Sequence, residues 1–474
     1  MKNNRHKIYT LVLLLTLGVG NITQAQQITD NAVFYHSIRS PWSNYLNPAL
    51  FPSESGWYMT TAKTSIQLAL PMSYDDFGLT YDPVRDVTVM NVNHVLNQLK
   101  QNGFHFDHNS DVNLLGFGFT IKDNLHVTAS AGVKYLTSFT VPMGIIELLT
   151  EGNLNEEHHI DFGAADLFNG QMYAYASIGA AFKLPLFPLT VGARVNVIDG
   201  LMAMSVDNLS LDLATSEDVS SMQLSSDYRL HTAGIAKLSL DDLGKFSFEL
   251  EDIRKIIPNN YGYTFDIGAK LKVNIFDLSM SIVDLGPGAH WQQNPITIVP
   301  RQKDVTITFD GIDLSSLLTH GVVDTSFIGR FKDSALAMID YITEEDDFWY
   351  SVPTKMYLGA SVSLGKLVRA GYLFQGQWTN GWFNNHHSGE NHFACNNTLS
   401  AHLNIFNWLE LSAANSFTYN GDKVTWLNPG LALTLSPGRK LQIFAALEYL
   451  SSMRLTQAKA AHVMFGINMV GLKN

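Results

Sequence analysis

Apolar and polar residues alternate along many stretches of this chain, most clearly in 265–275. Phe265 and Ile267 fall on one side of an extended strand, while Asp266 and Lys270 fall on the other. A repeat of two sustained over this stretch is typical of a β-strand and does not fit an amphipathic helix. Because charged side chains are costly on a lipid-facing surface, we expect the polar side to face the inside of a barrel.

The alternating stretches are separated in two different ways. Further alternation occurs at 125–134, 189–197, 356–364, 399–405 and 462–469. Short turn-like segments lie at 122–124, 185–188, 276–277, 365–366, 406–407 and 436–439. Longer segments lie roughly at 71–111, 136–171, 200–261, 286–354 and 379–397. Outer-membrane barrels have short periplasmic turns and longer extracellular loops, so the pattern predicts such a barrel.

The strand count is even. Six short-turn hairpins supply twelve strands, and single strands near 57–70 and 460–471 bring the antiparallel barrel to about 14. An even number leaves both chain ends in the periplasm. Further alternation in 200–250 indicates strands that extend beyond the membrane. Apolar positions at helical spacing in 312–342 predict a helix, either a cap on the barrel mouth, which we favour, or a partner-binding helix.

Aromatic residues cluster near the predicted strand ends. Amphipathic rings favour the headgroup region of a membrane, so these residues are candidates for aromatic girdles or for ordinary packing. They are Trp57, Tyr58, Tyr135, Tyr173, Trp378, Trp408, Trp426 and Tyr449.

Residues 1–25 have the three parts of a secretory signal peptide. Lys2, Arg5 and Lys7 precede a short apolar core at 9–19, and Thr-Gln-Ala at the end suits cleavage before residue 26. The core is shorter than the roughly 20 residues that cross a bilayer, although an uncleaved N-terminal anchor is the alternative. The leader predicts export to the outer membrane of a Gram-negative cell.

Composition narrows the class of protein. Charged residues make up 16% of the chain, below the roughly 25% of soluble proteins, as the lipid-facing half of each strand requires. The net charge of −12 argues against a nucleic-acid partner. One cysteine excludes a disulfide framework within the chain, so strand pairing must supply the stability.

Residues 26–56 precede the first strand and lack its alternation. A barrel of about 14 strands can hold a plug, so we expect this segment to be one and 57–474 to form the barrel. Asn47-Pro48-Ala49, followed by a barrel of this size, resembles the FadL superfamily. That superfamily includes long-chain fatty-acid transporters and PorV-type barrels associated with type IX secretion.

A second motif supports the resemblance. The stretch 261–268 followed by Val283-Asp284-Leu285-Gly286 looks like the mid-barrel pattern of PorV-like proteins, which more often have Asn where Asp284 stands. The chain is also similar to an uncharacterised domain-of-unknown-function family of such barrels. The resemblance implies that 26–56 is a hatch inside the barrel. Its core would include Asn47, Pro48, Ala49 and Leu50.

Charged side chains predicted to face the lumen are the candidate functional residues. They are Lys134, Lys183, Arg194, Asp266, Lys270, Lys272, Glu410 and Glu448. Their mixed signs fit either a polar permeation path or a network in which the charges pair with each other and the plug.

Catalytic and metal-binding signatures are weak. The chain lacks GxSxG and GxxxxGK[ST], so we expect neither an enzyme nor a cofactor. His386, His387, Glu390 and His392 are metal-ligating residue types, but their spacing matches no defined motif, and a solvated loop is favoured.

Two functions remain open from the sequence. The first is a FadL-like transporter that admits a small hydrophobic substrate through a barrel embedded in outer-membrane lipid. The alternative is a PorV-like scaffold that holds an extracellular or periplasmic protein partner, with the loops 200–261 and 286–354 as its surface. A continuous cavity favours transport, whereas a packed lumen favours the scaffold.

Overall fold

The computed structural model of the protein describes most of the chain after residue 31. The described residues are 32–37, 39–52, 55–151, 159–165, 167–215, 221–240, 246–250, 259–308, 341–378, 393–405, 408–420, 423–452 and 454–472. The predicted signal peptide at 1–25 lies outside them. Among the described helices, none combines the length and apolar character needed to cross a bilayer.

Fourteen antiparallel strands close into a barrel, which confirms the predicted fold class. They are β1 Ser55–Ala69, β2 Phe104–Ile121, β3 Leu125–Val141, β4 Phe168–Lys183, β5 Leu189–Thr215, β6 Tyr261–Val273, β7 Phe276–Trp291, β8 Thr354–Leu364, β9 Val368–Trp378, β10 Phe393–Ile405, β11 Leu409–Asn420, β12 Lys423–Leu435, β13 Leu441–Glu448 and β14 Ala460–Leu472. Each strand pairs with the next, and β14 pairs back with β1, with Ser55 opposite Leu472. The closed ring leaves no free edge in its wall, as hydrocarbon requires.

The two faces of the wall differ in polarity. In β6, Phe265 and Ile267 are exposed on the outside, whereas Thr264 and Asp266 are buried inside. The same apolar-out, polar-in arrangement holds in β14, where Phe465 is exposed and Asn468 is buried. An apolar outer surface around a closed barrel is the surface that lipid solvates, so the barrel spans a membrane.

We expect an arginine in place of Ile267 to impair membrane insertion. A charge on the lipid-facing side costs about 2–4 kcal/mol near the bilayer midplane. The measurement is the folded fraction after refolding into lipid vesicles. Ile267→Leu is the matched control and should fold like the parent protein; equal folding of the arginine variant would mean that this face does not contact lipid.

The strands are joined by short turns at one end of the barrel, the short-turn end, and by long connections at the other, the long-loop end. The predicted turn at 276–277 is wrong, because β7 already begins at Phe276 and Val273 pairs with it directly. The turn is formed by 274–275, with Asn274 in the left-handed conformation at φ +55°. Asparagine tolerates that conformation well, which suits a two-residue hairpin.

Several strands extend past the barrel at the long-loop end. β5 continues to Thr215 and pairs there with Ser221–Gly234, which confirms the expectation of strands beyond the membrane in 200–250. Ile296–Pro300 and Asp304–Thr308 add to the same sheet, and Tyr341–Glu344 pairs with the first of these. The remaining short strands are Thr80–Asp82, Val87–Val89, His159–Ala165, Ala236–Leu240, Phe246–Leu250 and Phe348–Tyr350.

The described loop helices lie at the long-loop end. Val92–Asn102 begins at Asn91, whose side chain accepts a hydrogen bond from the His94 N–H, and Met143–Glu151 follows β3. Short 3-10 turns occupy Asp75–Phe77, Leu455–Gln457 and, at the short-turn end, Pro437–Arg439. The helix predicted for 312–342 lies outside the described residues except for its last two positions, which belong to a strand.

The aromatic prediction is right for some residues and wrong for others. Trp57 and Trp408 are exposed at the short-turn end, as a girdle requires. Tyr58, Tyr173 and Tyr449 are wrong as girdle residues, since each is buried inside the barrel. Trp426 lies among residues whose side chains are not described. Strand-end position alone therefore does not tell the outer aromatic face from the inner one.

Candidate functional site: the plug and the inner wall of the barrel

The described parts of the N-terminal segment, 32–37 and 39–52, fill the short-turn half of the barrel; we call the segment 32–52 the plug. It contains two single-turn helices, α1 (Ala32–Tyr35) and α2 (Ser43–Leu46), and every described residue in it is buried except the partly exposed Tyr45 and Phe51. Its bends are held by side chains. The Asn44 amide donates to the carbonyls of Pro48 and Leu50 at 3.1 and 2.9 Å.

Asn47 joins the plug to the wall. Its side-chain amide donates to the carbonyl of Met280 at 3.0 Å and, at 3.4 Å, to that of Ala269, while its Oδ1 accepts from the Ala49 N–H at 2.9 Å. Asn47 is fully buried. Buried polar groups are stable only when paired, so this side chain fixes both the bend at Pro48 and its position against β6 and β7.

Arg194 anchors the plug from the opposite direction. Its Nε donates to Asp266 Oδ2 at 2.6 Å, and its terminal nitrogens donate to the carbonyls of Asn44 and Tyr45 at 3.1 and 2.7 Å. Both members of the ion pair are buried. Asp266 is held further by the Asn196 amide at 3.2 Å. A buried guanidinium with each of its three nitrogens directed at a partner is the arrangement that a low-dielectric interior tolerates.

Glu448 holds the beginning of the plug. Its Oε1 accepts from the Val33 N–H at 2.5 Å, and its Oε2 lies 3.0 Å from His462 Nδ1. His462 Nε2 in turn lies 2.7 Å from Ser65 Oγ. The chain Val33–Glu448–His462–Ser65 links the plug to three neighbouring strands, β13, β14 and β1.

Arg369 holds the base of the plug near the short-turn end. Its guanidinium donates to the carbonyl of His36 at 3.1 Å, to Asp277 Oδ2 at 2.8 Å and to Ser363 Oγ at 3.1 Å. Lys270 lies 3.7 Å from the same Asp277 carboxylate. Hydrogen bonds to charged groups are about twice as strong as neutral ones, so Arg369 is a second basic anchor for the plug.

A third basic residue of the wall, Lys63, lies close to two aromatic rings of the plug. Its ammonium is 3.0 Å from Asp111 Oδ2, and it lies 4.9 Å from the centre of the Trp42 ring and 5.4 Å from that of Tyr45. The Tyr45 hydroxyl accepts from the Asn113 amide at 2.8 Å. A desolvated cation over aromatic faces is attracted to them, so Lys63 adds to the attachment.

A further charged pair lies beyond the plug, toward the long-loop end. Lys134 is 3.7 Å from Asp284 Oδ2, and the backbone N–H of Asp284 donates to Asp266 Oδ1 at 2.7 Å. Asp284 has φ +57°, at an irregular part of β7 where the pairing with β6 shifts register. The kink turns its backbone N–H toward Asp266 and so links Lys134 to the Arg194 anchor.

Apolar clusters complete the packing. Val33, Phe34 and Trp42 of the plug pack on Phe444 and Met464 of the wall. A separate apolar cluster, the upper cluster, lines the inside of the barrel toward the long-loop end. Its members are Tyr173, Tyr175, Ile198, Ala203, Ala233, Ala289, Trp291, Tyr350 and Val352. The lumen is thus filled by the plug at one end and lined by aromatic and aliphatic side chains at the other.

The remaining predicted lumen charges lie near the short-turn end. Glu410 is fully buried, whereas Lys272 is exposed near the end of β6 and Lys183 is exposed at the end of β4. Lys270 keeps a quarter of its side chain exposed. The structure therefore brings Arg194, Asp266 and Glu448 to the plug, places Lys134 and Lys270 in ion pairs, and leaves Lys272 at the rim.

Metal-ligating residues do not converge in the part of the chain that the structure describes. His386, His387, Glu390 and His392 lie outside the described residues. His105 and Asp107 do contact each other, at 2.8 Å, as one pair on β2.

Removing the Asn47 side chain should loosen the plug. Asn47→Ala removes the donor to the Ala269 and Met280 carbonyls and the acceptor of the buried Ala49 N–H, so we expect a loss of about 1–3 kcal/mol in the free energy of unfolding. Urea unfolding in detergent measures it. Asn109→Ala, in the partly exposed hydrogen bond with Gln67, is the control and should change little; an equal effect of both would assign Asn47 no special role.

Sequence reasoning missed five charged residues of the inner wall. They are Lys63, Asp111, Asp277, Asp284 and Arg369. Lys63 is not recognisable as an inward-facing residue from the sequence, because a bulge between Thr60 and Ala62 reverses the alternation of β1. Asp277 was hidden because it was placed in a turn. A charge flanked by apolar residues in a predicted strand is the signal that could have found Arg369.

A closed, outwardly apolar barrel whose lumen holds the N-terminal segment defines a plugged transmembrane β-barrel. The chain belongs to a family of unknown function (DUF5723), which matches residues 48–448 and so most of its length. This confirms the predicted membership of an uncharacterised family. No curated protein matches the chain.

Solved structures similar to the chain include channel proteins. A deltaS2 mutant of the TodX monoaromatic hydrocarbon channel has a TM-score of 0.46 at 9% identity, with 96% of each chain covered. The Ralstonia pickettii toluene transporter TbuX has a TM-score of 0.43 at 10% identity, covering 91% of this chain and 94% of that one. The Pseudomonas putida toluene transporter TodX has a TM-score of 0.39 at 10% identity, with 96% of each chain covered. At these values the likeness carries no argument about function.

Proposed function

We propose that the protein is an outer-membrane channel for a small hydrophobic molecule, closed at rest by its N-terminal plug. The observation that carries the proposal is the upper cluster, in which apolar and aromatic side chains pack inside a barrel whose other inward side chains are largely polar. A path that opens between these side chains favours an apolar solute over an ion. Movement of the solute needs displacement of the plug and no covalent chemistry.

The attachments of the plug fit a part that can be released. Arg194, Arg369, Ser281 and Gln442 all donate to plug carbonyls, so the wall grips the plug backbone through several separate hydrogen bonds. Each such bond contributes modestly on its own. Export by a cleaved leader at 1–25 completes the proposal, with a Gram-negative outer membrane as its location.

Uptake into liposomes tests the channel. The mature protein and a variant lacking 32–52 are reconstituted, and entry of a small aromatic hydrocarbon is compared with that of a sugar of similar size. We expect faster hydrocarbon entry through the deletion variant. Ala233→Asp, which puts a charge in the upper cluster, should reduce that entry, whereas Val84→Asp, at an exposed side chain outside the barrel wall, should not. No entry through any form, with the barrel folded, would contradict a channel.

The packed lumen favours a second candidate, a PorV-like barrel that holds a protein partner at the cell surface. Inward-facing side chains such as Asn113, Thr264, Gln375 and Asn468 are fully buried, and the sheet built on β5 extends beyond the barrel. Cross-linking in cells through a photoreactive residue at Val84, the most exposed large apolar side chain among the described residues, tests it. A single specific protein adduct, together with a barrel that stays sealed without its plug, would support the scaffold.

A further inference from the structure

Three neighbouring strands bring three oxygen-bearing side chains together on the inner wall at the short-turn end. Asn404 on β10 lies directly opposite Glu410 on β11, and Glu410 lies directly opposite Thr434 on β12. Directly opposed residues have Cβ atoms about 4.5–5.5 Å apart, so Glu410 lies between Asn404 and Thr434 and neighbours both. All three are more than nine-tenths buried.

The oxygens of this group have no hydrogen-bond donor among the described residues. They are Oδ1 of Asn404, both carboxylate oxygens of Glu410 and Oγ1 of Thr434. A buried carboxylate that accepts no hydrogen bond is costly, and several acceptors side by side repel one another. The group therefore requires an electron-pair acceptor, such as a cation, that these oxygens can coordinate.

The neighbouring basic groups have other partners. His402 Nδ1 is 3.4 Å from Glu410 Oε1 but only 2.8 Å from Ser412 Oγ, its hydrogen-bond partner. The donors of Arg369 are directed at Asp277, Ser363 and the His36 carbonyl. Glu410 thus accepts no hydrogen bond from either of these basic groups.

The donor set selects the class of ligand. Carboxylate, amide and hydroxyl oxygens are the ligands that hard cations prefer, whereas transition metals favour thiolate and imidazole donors. The nearest imidazole nitrogen, His402 Nδ1, is already hydrogen-bonded to Ser412. A single carboxylate is neutralised by a single positive charge. Magnesium gives up its bound waters reluctantly, so a dry and buried position disfavours magnesium.

We propose that Asn404, Glu410 and Thr434 bind a monovalent hard cation, sodium in the first instance, beneath the plug. The plug covers this position. Phe444, opposite Thr434, packs on Phe34 and Trp42, and the Gln442 amide donates to the Arg39 carbonyl at 3.2 Å. The cation neutralises the Glu410 carboxylate at the place where the plug contacts the wall. The cation therefore stabilises the closed state whether or not the barrel transports anything.

Thermal unfolding of the full mature chain in detergent tests the site. Sodium, potassium, calcium and choline chlorides are compared at equal ionic strength. We expect sodium to raise the melting temperature above that in choline by about 1–3 °C, because a ligand that binds only the folded state stabilises it. Broadening of the sodium-23 resonance by the protein, compared with a sample that contains no protein, reports the binding directly.

Two variants assign the effect to this group. Glu410→Gln and Thr434→Val should each abolish the difference between sodium and choline. Thr60→Val is the matched control, since Thr60 is an equally buried lumen threonine that already has a partner in Asn468, and it should keep the difference. An equal shift in potassium also supports a monovalent site. Identical melting in sodium and choline, a shift with calcium alone, or a shift that survives in both variants would overturn the proposal.

Discussion

Replacing Arg194 by alanine should release the plug and lower the free energy of unfolding by about 3–5 kcal/mol, the cost of breaking a buried ion pair. The change leaves Asp266 buried without its cation and removes the donors from the Asn44 and Tyr45 carbonyls. Urea unfolding in detergent measures the stability, and limited proteolysis of the folded barrel reports access to the plug.

Two controls separate the anchor from general damage to the barrel. Lys183→Ala removes an exposed charge and should change neither stability nor proteolysis. The double variant Arg194→Ala with Asp266→Ala should lose less stability than the sum of the single variants, because the two side chains act on each other. A loss below about 1 kcal/mol in Arg194→Ala, with the plug still protected, would show that this residue does not anchor the plug.

The second large effect is expected from Gly192→Leu. A Cβ at this position would lie 2.5 Å from the Pro48 carbonyl carbon and 2.6 Å from the Ala49 nitrogen. Both are backbone atoms that cannot rotate away, and the wall is a closed ring of hydrogen-bonded strands. The plug must therefore move away from β5 at Pro48 and Ala49. We expect a folded barrel whose plug is cut by protease at least tenfold faster, about 1.4 kcal/mol in the closing equilibrium.

The neighbouring residue supplies the control for this variant. Ala193 faces outward, so Ala193→Leu adds the same bulk to the same strand without touching the plug. It should leave plug proteolysis unchanged. If Gly192→Leu also leaves the plug protected, the contact of β5 with Pro48 does not determine the position of the plug.

Much of the fold is readable in the sequence because a barrel in lipid obeys a local rule. Each strand has to be apolar on one side, so 265–275 shows its strand character without knowledge of any partner. The count of 14 follows from six hairpins and two single strands. The rule fails where the backbone departs from regular pairing: Asn274 in the left-handed conformation moves a turn, and the bulge after Thr60 hides Lys63.

The candidate site is less predictable, because its contacts join residues far apart in the chain. Arg194 is recognisable as an inward charge, but its bonds to the Asn44 and Tyr45 carbonyls depend on the path of the plug. Asn47 enters through a resemblance, and the structure supplies the reason for an amide there: one side chain both donates to the wall and accepts from the Ala49 N–H. Tyr173 is a case in which the sequence misleads. Its position at a strand end predicts a lipid-facing ring, whereas the ring packs inside the barrel.

Conductance of single barrels in a planar lipid bilayer tests most directly whether the plug closes the barrel. The mature protein is compared with a variant lacking 32–52, with folding of both verified by their resistance to unfolding in detergent. The account predicts a silent mature protein and a steadily conducting deletion variant. Two equally silent barrels, or two that conduct equally, would contradict the central claim that this segment is what closes the lumen.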